Sequence, residues 1–292
     1  MAGHDRLLTE LRALGRADGI ASVRRLSGGY VADVWDVGYQ DGTRVVGKTV
    51  TCAPDGLFPA EADSLAALRS VGHVDTPAVL AATGQLLLLE ALAPRDDSEA
   101  SWEAFAHDLA ALHRGTVHEM FGWASDGYLG RVVQQNPWTA DGHAFFAAHR
   151  VLRYLEEPLV QQELTSADRR ALEHFCDRLT EIVPVMPAVL THGDLWSGNL
   201  LSRDGRIAVI DPAVSYTWAE VDLSMLWCCQ RPAASDRFFD VYQELNPSPP
   251  GWAERMPFLH VRELLSSIPH TGDPGDDVRR LRRTLAPFYL RR

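Results

Sequence analysis

Thr191-His192-Gly193-Asp194-Leu195-Trp196-Ser197-Gly198-Asn199 runs directly into Leu200-Leu201-Ser202-Arg203-Asp204-Gly205-Arg206-Ile207-Ala208-Val209-Ile210-Asp211. Asp204-Gly205 between two apolar runs is a strong two-residue hairpin signal. The turn sets a register in which Arg203 faces Arg206, Leu201 faces Ala208 and Asn199 faces Ile210. Asp211 then stands one step from Asn199, and facing residues lie about 5 Å apart. An amide oxygen and a carboxylate therefore converge at the open end of the hairpin, as hard oxygen ligands suited to Mg²⁺. Asp194, five residues before Asn199, sits on the turn leading into the same end.

A carboxylate, an Asn five residues on and a second Asp beyond a hairpin follow the phosphoryl-transfer pattern H-R-D-x-x-x-x-N with a later metal-binding Asp. Asp194 takes the place of the base that accepts the proton of an attacking hydroxyl. Gly193 stands where the pattern has Arg, and Asp211-Pro212-Ala213 where it has D-F-G. Such chemistry asks for alignment and for neutralisation of charge on phosphate oxygens. Composition supplies a candidate cation: of 28 basic residues, 27 are Arg, and the single Lys is Lys48. A compact ammonium enters a narrow phosphate site that a broad, planar guanidinium cannot. Glu61, on the helix that follows, is placed to hold that ammonium, although an acid is also favoured at any helix N-terminus.

Lys48 belongs to a β-rich first segment. Leu7, Leu8, Leu11 and Leu14 predict an opening helix over 5–16. Strands are expected at 23–26, 31–37, 44–50, 78–82 and 86–90, with a short helix over 60–69 entered through Pro59. Beyond Leu92-Ala93-Pro94 the periodicity becomes helical, over 98–114, 142–156, 166–183, 220–229, 236–245 and 252–267. The expected fold class is α+β. A small antiparallel β lobe with one helix (1–90) precedes a larger, mainly helical catalytic and substrate lobe (91–292). Gly28 and Gly29 fall between the first two strands, as a nucleotide loop or as a plain turn. Glu90, at the end of the fifth strand where the lobes meet, joins Gly28, Gly29, Lys48 and Glu61 as a cofactor-binding candidate.

A chain that is 46% hydrophobic and 23% charged is not disordered, and four cysteines without ligand spacing point to reduced thiols. Acidic residues exceed basic ones by 11, which argues against nucleic acid or an anionic membrane as a partner. His4, Asp5 and Arg6 stand where a signal peptide needs apolar residues, so a cytoplasmic protein is expected. Ser197 lacks the Gly two residues before it that a nucleophile elbow requires. His192 and Asp222 are read as braces of the loop.

His192 to Asn199 resembles the signature of the fructosamine kinases (ketosamine 3-kinases), relatives of the aminoglycoside phosphotransferases within the protein-kinase-like fold. Leu26-Ser27-Gly28-Gly29, Val46-Gly47-Lys48-Thr49, Phe58-Pro59-Ala60-Glu61-Ala62, Asn136-Pro137-Trp138, Arg150 and Glu220 to Leu226 extend the likeness over most of the chain. The resemblance implies ATP and Mg²⁺ between the lobes, with Asn199 and Asp211 on the metal. It also implies Asp194 acting on the 3-hydroxyl of a ketosamine, in repair of glycated amines or proteins. Trp196 would shape the sugar pocket or, equally, pack the loop. Tyr30 stands where many members have Cys, and the residues after Met225 and from Ile268 onward depart from the family, which bears on substrate identity. A kinase of another small molecule, such as an aminoglycoside, and a nucleotide-binding pseudokinase are the rival readings. Oligomeric state is not legible.

Overall fold

The computed structural model describes residues 2–27, 31–52, 54–71 and 74–289. A five-stranded antiparallel sheet comes first, built from β1 (Ile20–Leu26), β2 (Asp33–Tyr39), β3 (Arg44–Thr49), β4 (Val79–Ala82) and β5 (Leu86–Glu90) in the order β1-β2-β3-β5-β4. Side-chain alternation along its strands creates two separate cores. Leu86 and Leu88 on β5 join Trp35, Val37 and Val45 beneath Leu7 and Leu11 of α1 (Ala2–Ala13). Leu87 and Leu89 point the other way, onto Leu57, Phe58 and Leu65 of α2 (Leu57–Val71). Gly47 belongs to the α1 face, where a Cβ would come within 2.6 Å of Leu7. Its neighbour Lys48 is thereby turned to the α2 face and the interlobe cleft.

The helices after the sheet are α3 (Glu99–Gly115), α4 (Gly142–Phe146), α5 (Pro158–Glu163), α6 (Ser166–Asp177), α7 (Leu179–Ile182), α8 (Ala219–Cys228), α9 (Asp236–Leu245), α10 (Trp252–Leu259), α11 (Val261–Ser267) and α12 (Gly275–Thr284). They enclose one large core that includes Trp102, Phe105, Phe146, Phe175, Trp218, Leu223 and Phe238. Three short antiparallel pairs carry the loops: β6 (Gly127–Leu129) with β7 (Val132–Gln134), β8 (Val189–Thr191) with β11 (Ser215–Thr217), and β9 (Leu200–Arg203) with β10 (Arg206–Val209). The last pair has the register read from Asp204-Gly205: Arg203 faces Arg206 and Leu201 faces Ala208. Asp204 and Gly205 have φ of 49° and 81°, the left-handed conformation such a turn demands.

The continuous helix expected over 142–156 is instead an α turn, a π turn over Ala147–Val151 and a 3₁₀ turn over Leu152–Glu156. The widened turn carries Arg150, which is buried. Its guanidinium donates to Gln135 O at 2.7 Å, Asn136 Oδ1 at 2.6 Å and Ser215 Oγ at 3.0 Å. Inserted turns of this kind re-aim a side chain that a regular helix would misdirect. The four cysteines are free; Cys176, Cys228 and Cys229 are partly buried, while Cys52 is exposed.

The C-terminal segment is tied down by Asp168 on α6. This buried carboxylate forms a capping box with Thr165 and accepts from Arg282 Nη2 at 2.9 Å and Tyr289 OH at 2.5 Å. Burial alone would raise its pKa; the bonds from Arg282, Tyr289 and Thr165 outweigh it and hold the carboxyl well below the usual range. A lowered folded-state pKa means stabilisation that is complete above the unfolded value and lost as pH falls. Asp168→Ala is expected to cost about 2–4 kcal/mol at pH 7 from the lost cap and charged hydrogen bonds. In urea unfolding, its deficit against wild type should narrow below about pH 4.

Candidate active site

Local folding explains how Asp194 reaches the cleft. The chain leaves β8 through His192 and Gly193, whose backbone N–H groups donate to Asp222 Oδ2 and Oδ1 at 2.8 and 2.9 Å. Asp222 lies on α8, fully buried, with His113 Nε2 at 3.3 Å. Burial pushes its pKa up, but the hydrogen bonds from His113 and the loop prevail and keep it ionised. Gly193 has φ of 80°, and a Cβ there would stand 2.1 Å from Ala213 O, so only glycine fits between the two loops. His192 Nδ1 accepts from Asp194 N–H at 3.1 Å and Nε2 lies 2.9 Å from Ile210 O. Those partners fix the Nε2–H tautomer, and burial depresses the ring's pKa. His192 and Asp222 thus brace the loop, as expected.

Asn199 closes a short 3₁₀ turn, and its Nδ2 donates to both Asp194 O and Asp194 Oδ2, each at 2.8 Å. The amide is thereby fixed with its oxygen left to accept. Asp211 follows β10 with φ of 59°, a left-handed position tolerated by Asp better than by most residues. Lys48 Nζ sits 2.5 Å from Glu61 Oε1 and also donates to Asp211 Oδ1, joining the sheet, α2 and the loop after the hairpin. Burial opposes the ammonium, but Asp211 and Glu61 together raise its pKa above that of a free lysine. Glu61 is itself pushed upward by burial, against the pull of Lys48.

Lys48, Glu61, Asp194, Trp196, Asn199 and Asp211 line one cavity of about 170 Å³ between the sheet and the helical part. Asp194 and Trp196 also border a second cavity of about 280 Å³, walled by α11 and α12. Trp196 packs against the large core and against Gly198, and it lines both cavities. Burial, followed by the nearby charge of Glu263, lifts the Asp194 carboxyl well above the ordinary range, and Arg262 opposes the rise.

Glu90 does not reach either cavity lining. Alternation along β5 gives it the parity of Leu86 and Leu88, away from Lys48, and its carboxylate accepts from Ala78 N–H at 3.0 Å and from Arg203. Its side chain ties the sheet to β9. Gly28 and Gly29 lie outside the described residues. Glu263, His260 and Arg280, which wall the second cavity, were not singled out from the sequence. The available signal was polar residues interrupting an apolar helical run.

The family model for Fructosamine kinase matches residues 7–273. A probable ketoamine kinase of Synechocystis is 33% identical over 224 residues, 72% of this chain and 72% of its own. A chloroplastic protein-ribulosamine 3-kinase of Oryza sativa subsp. indica is 26% identical over 99% of this chain and 84% of its own. The solved structure of a putative fructosamine-3-kinase from Thermobifida fusca superposes with a TM-score of 0.80 at 31% identity, covering 90% of this chain and 94% of that one. The geometry around Asp194 and these likenesses agree: the chain belongs to the fructosamine kinase family and is a phosphotransferase with the two-lobed, protein-kinase-like fold.

Proposed function

We propose that the protein transfers the γ-phosphoryl group of ATP to a sugar hydroxyl of a ketosamine, a fructosamine or ribulosamine adduct on an amine or protein, and so serves the removal of glycation. One observation carries the reading: Asp194 borders both the cavity containing Lys48, Asn199 and Asp211 and the second cavity beyond it. A base shared by two chambers is what in-line transfer from a nucleotide to a separately held hydroxyl requires. In this reading residues 1–90 form the nucleotide lobe and 91–292 the catalytic and substrate lobe. Asp194 takes the proton of the attacking hydroxyl, and Lys48, oriented by Glu61, holds phosphate oxygens. Trp196 flanks the sugar.

The donor set fits Mg²⁺. Asn199 presents its amide oxygen and Asp211 a carboxylate in the same cavity, and among the described residues no cluster of three His, Cys, Asp or Glu forms a metal cage. Mg²⁺ is characteristically held by one or two protein oxygens together with phosphates and water. When bound, it would neutralise charge on the phosphate oxygens. The rest follows from the chain itself: the Asn199 amide orients Asp194, and the Asp222 brace fixes the loop that carries it. A cytoplasmic site of action is part of the proposal; among the described residues, no helix is long and apolar enough to cross a membrane. The pseudokinase alternative is disfavoured because Lys48, Asp194, Asn199 and Asp211 are all present and gathered in one cavity.

Incubation with ATP, Mg²⁺ and fructoselysine or ribuloselysine is expected to yield ADP and a phosphorylated adduct by mass spectrometry, and EDTA should stop the reaction. Inertness toward a broad ketosamine panel, with phosphorylation of an aminoglycoside in the same assay, would replace this reading with its rival.

A further inference from the structure

We infer that Glu263 reads the positive charge of the acceptor, its carboxylate binding the protonated nitrogen of the ketosamine whose hydroxyl faces Asp194. The inference rests on the function proposed above and adds the group that selects within that substrate class.

Three carboxylates, Asp194, Glu263 and Asp277, line the second cavity, against one guanidinium, Arg280. Arg280 is committed elsewhere: it donates to Cys228 O at 2.9 Å, faces His260 Nε2 at 3.4 Å and stands 3.9 Å from Asp277. Asp277 also receives the Ser267 hydroxyl at 2.6 Å. Glu263 is different. Among the described residues its carboxylate accepts only from Ser266 Oγ, at 3.2 Å, and that hydroxyl also bonds the Glu263 carbonyl at 2.9 Å. Among the described residues no Lys, Arg or His nitrogen forms an ion pair with it. Arg262, one position earlier and so about 100° around α11, is buried and spends Nη2 on Gln134 Oε1 at 2.9 Å. Burial pushes the Glu263 carboxyl upward, and the charge of Arg262 opposes that rise without forming an ion pair with it.

The same wall carries a neutral imidazole. His260 borders the same cavity, is only 3% exposed, and its Nδ1 has no partner. Because Nε2 faces a donor on Arg280, the proton belongs on Nδ1, leaving one buried N–H to be satisfied. Burial, with Arg280 and Arg262 nearby, depresses this ring to about pKa 3 and keeps it neutral. A carboxylate on the cavity wall without an ion-pair partner, next to a histidine held neutral, complements a cation attached to a polyol. The spacing agrees: in a ketosamine the nitrogen and the 3-oxygen are four bonds apart, within about 5 Å. The carboxylates that address them must therefore share one small chamber, as Asp194 and Glu263 do.

The test compares wild type and Glu263→Gln on two acceptors, N-(1-deoxyfructosyl)propylamine and its neutral 1-O-propyl analogue, with calorimetric binding of the non-reacting 3-deoxy ketosamine alongside. The expected result is a rise of roughly 10- to 100-fold in KM for the cationic acceptor, matched by the binding loss. Any change in kcat that reaches the reaction through the Asp194 carboxyl, which Glu263 helps to raise, should be common to both acceptors, while the rise in KM is confined to the cationic one. Unchanged KM and binding for the amine, or an equal rise in KM on both acceptors, overturns the assignment of Glu263 while leaving the ketosamine reading intact. A wild-type protein that phosphorylates neither acceptor and does not bind the 3-deoxy compound overturns both.

Discussion

Asp194→Asn is expected to lower kcat by about 10²- to 10⁴-fold, the usual contribution of a positioned general base, while leaving the affinity for a non-hydrolysable ATP analogue nearly unchanged. The substitution keeps the size of the side chain. Its new amide oxygen can still accept from Asn199 Nδ2, which lies 2.8 Å from Asp194 Oδ2. Gly193, His192 and Asp222 hold the backbone independently of the carboxylate. What disappears is the proton acceptor, so the loss belongs in kcat. Stopped-flow turnover and calorimetric binding separate the two effects, and full activity in the variant would show that the base lies elsewhere. The wild-type rate should also fall on the acid side. Burial and Glu263 raise the Asp194 carboxyl well above the ordinary aspartate value, so its protonation removes the base at a correspondingly higher pH.

Lys48→Met should be nearly as damaging, for two separable reasons. Loss of a buried donor to phosphate oxygens costs about 10²- to 10³-fold in turnover, by analogy with the removal of an oxyanion contact. The fold suffers as well, because Glu61, at 16% side-chain exposure, loses the cation 2.5 Å from it. Breaking such a pair costs about 3–5 kcal/mol. Burial already biases Glu61 toward protonation, so this penalty should shrink as pH falls. The wild-type ammonium has a raised pKa, so its contribution is complete at neutral pH and is lost only in strong alkali. Lys48→Arg should not rescue turnover, since a fork-shaped guanidinium cannot replace a point charge between Glu61 and Asp211. Thermal unfolding reads the stability arm, and ATPase-coupled assays read the other.

The most local chemistry was legible from residues alone. The register around Asp204-Gly205 follows from turn stereochemistry over eight residues, and the identity of Lys48 from its scarcity. The bond of the Glu90 carboxylate to Arg203 was hidden because it depends on a partner 113 residues away. The π turn at Arg150 was hidden because its cause lies in partners such as Ser215, 65 residues away. Glu263 was invisible for a related reason. Apolar periodicity shows that α11 is helical, but which polar residue faces a cavity and which, like Arg262, enters the core depends on the neighbours.

The trio at the cleft has a consequence for how nucleotide arrives. A single ammonium there answers to two carboxylates, one on α2 and one after the hairpin, so locally negative charge already outnumbers positive. A bare polyphosphate approaching Nζ meets competition and repulsion in place of an open cation. In the proposed reaction the donor would therefore arrive as a chelate, with Asp211 available to hold its divalent ion and Lys48 left to face the phosphates.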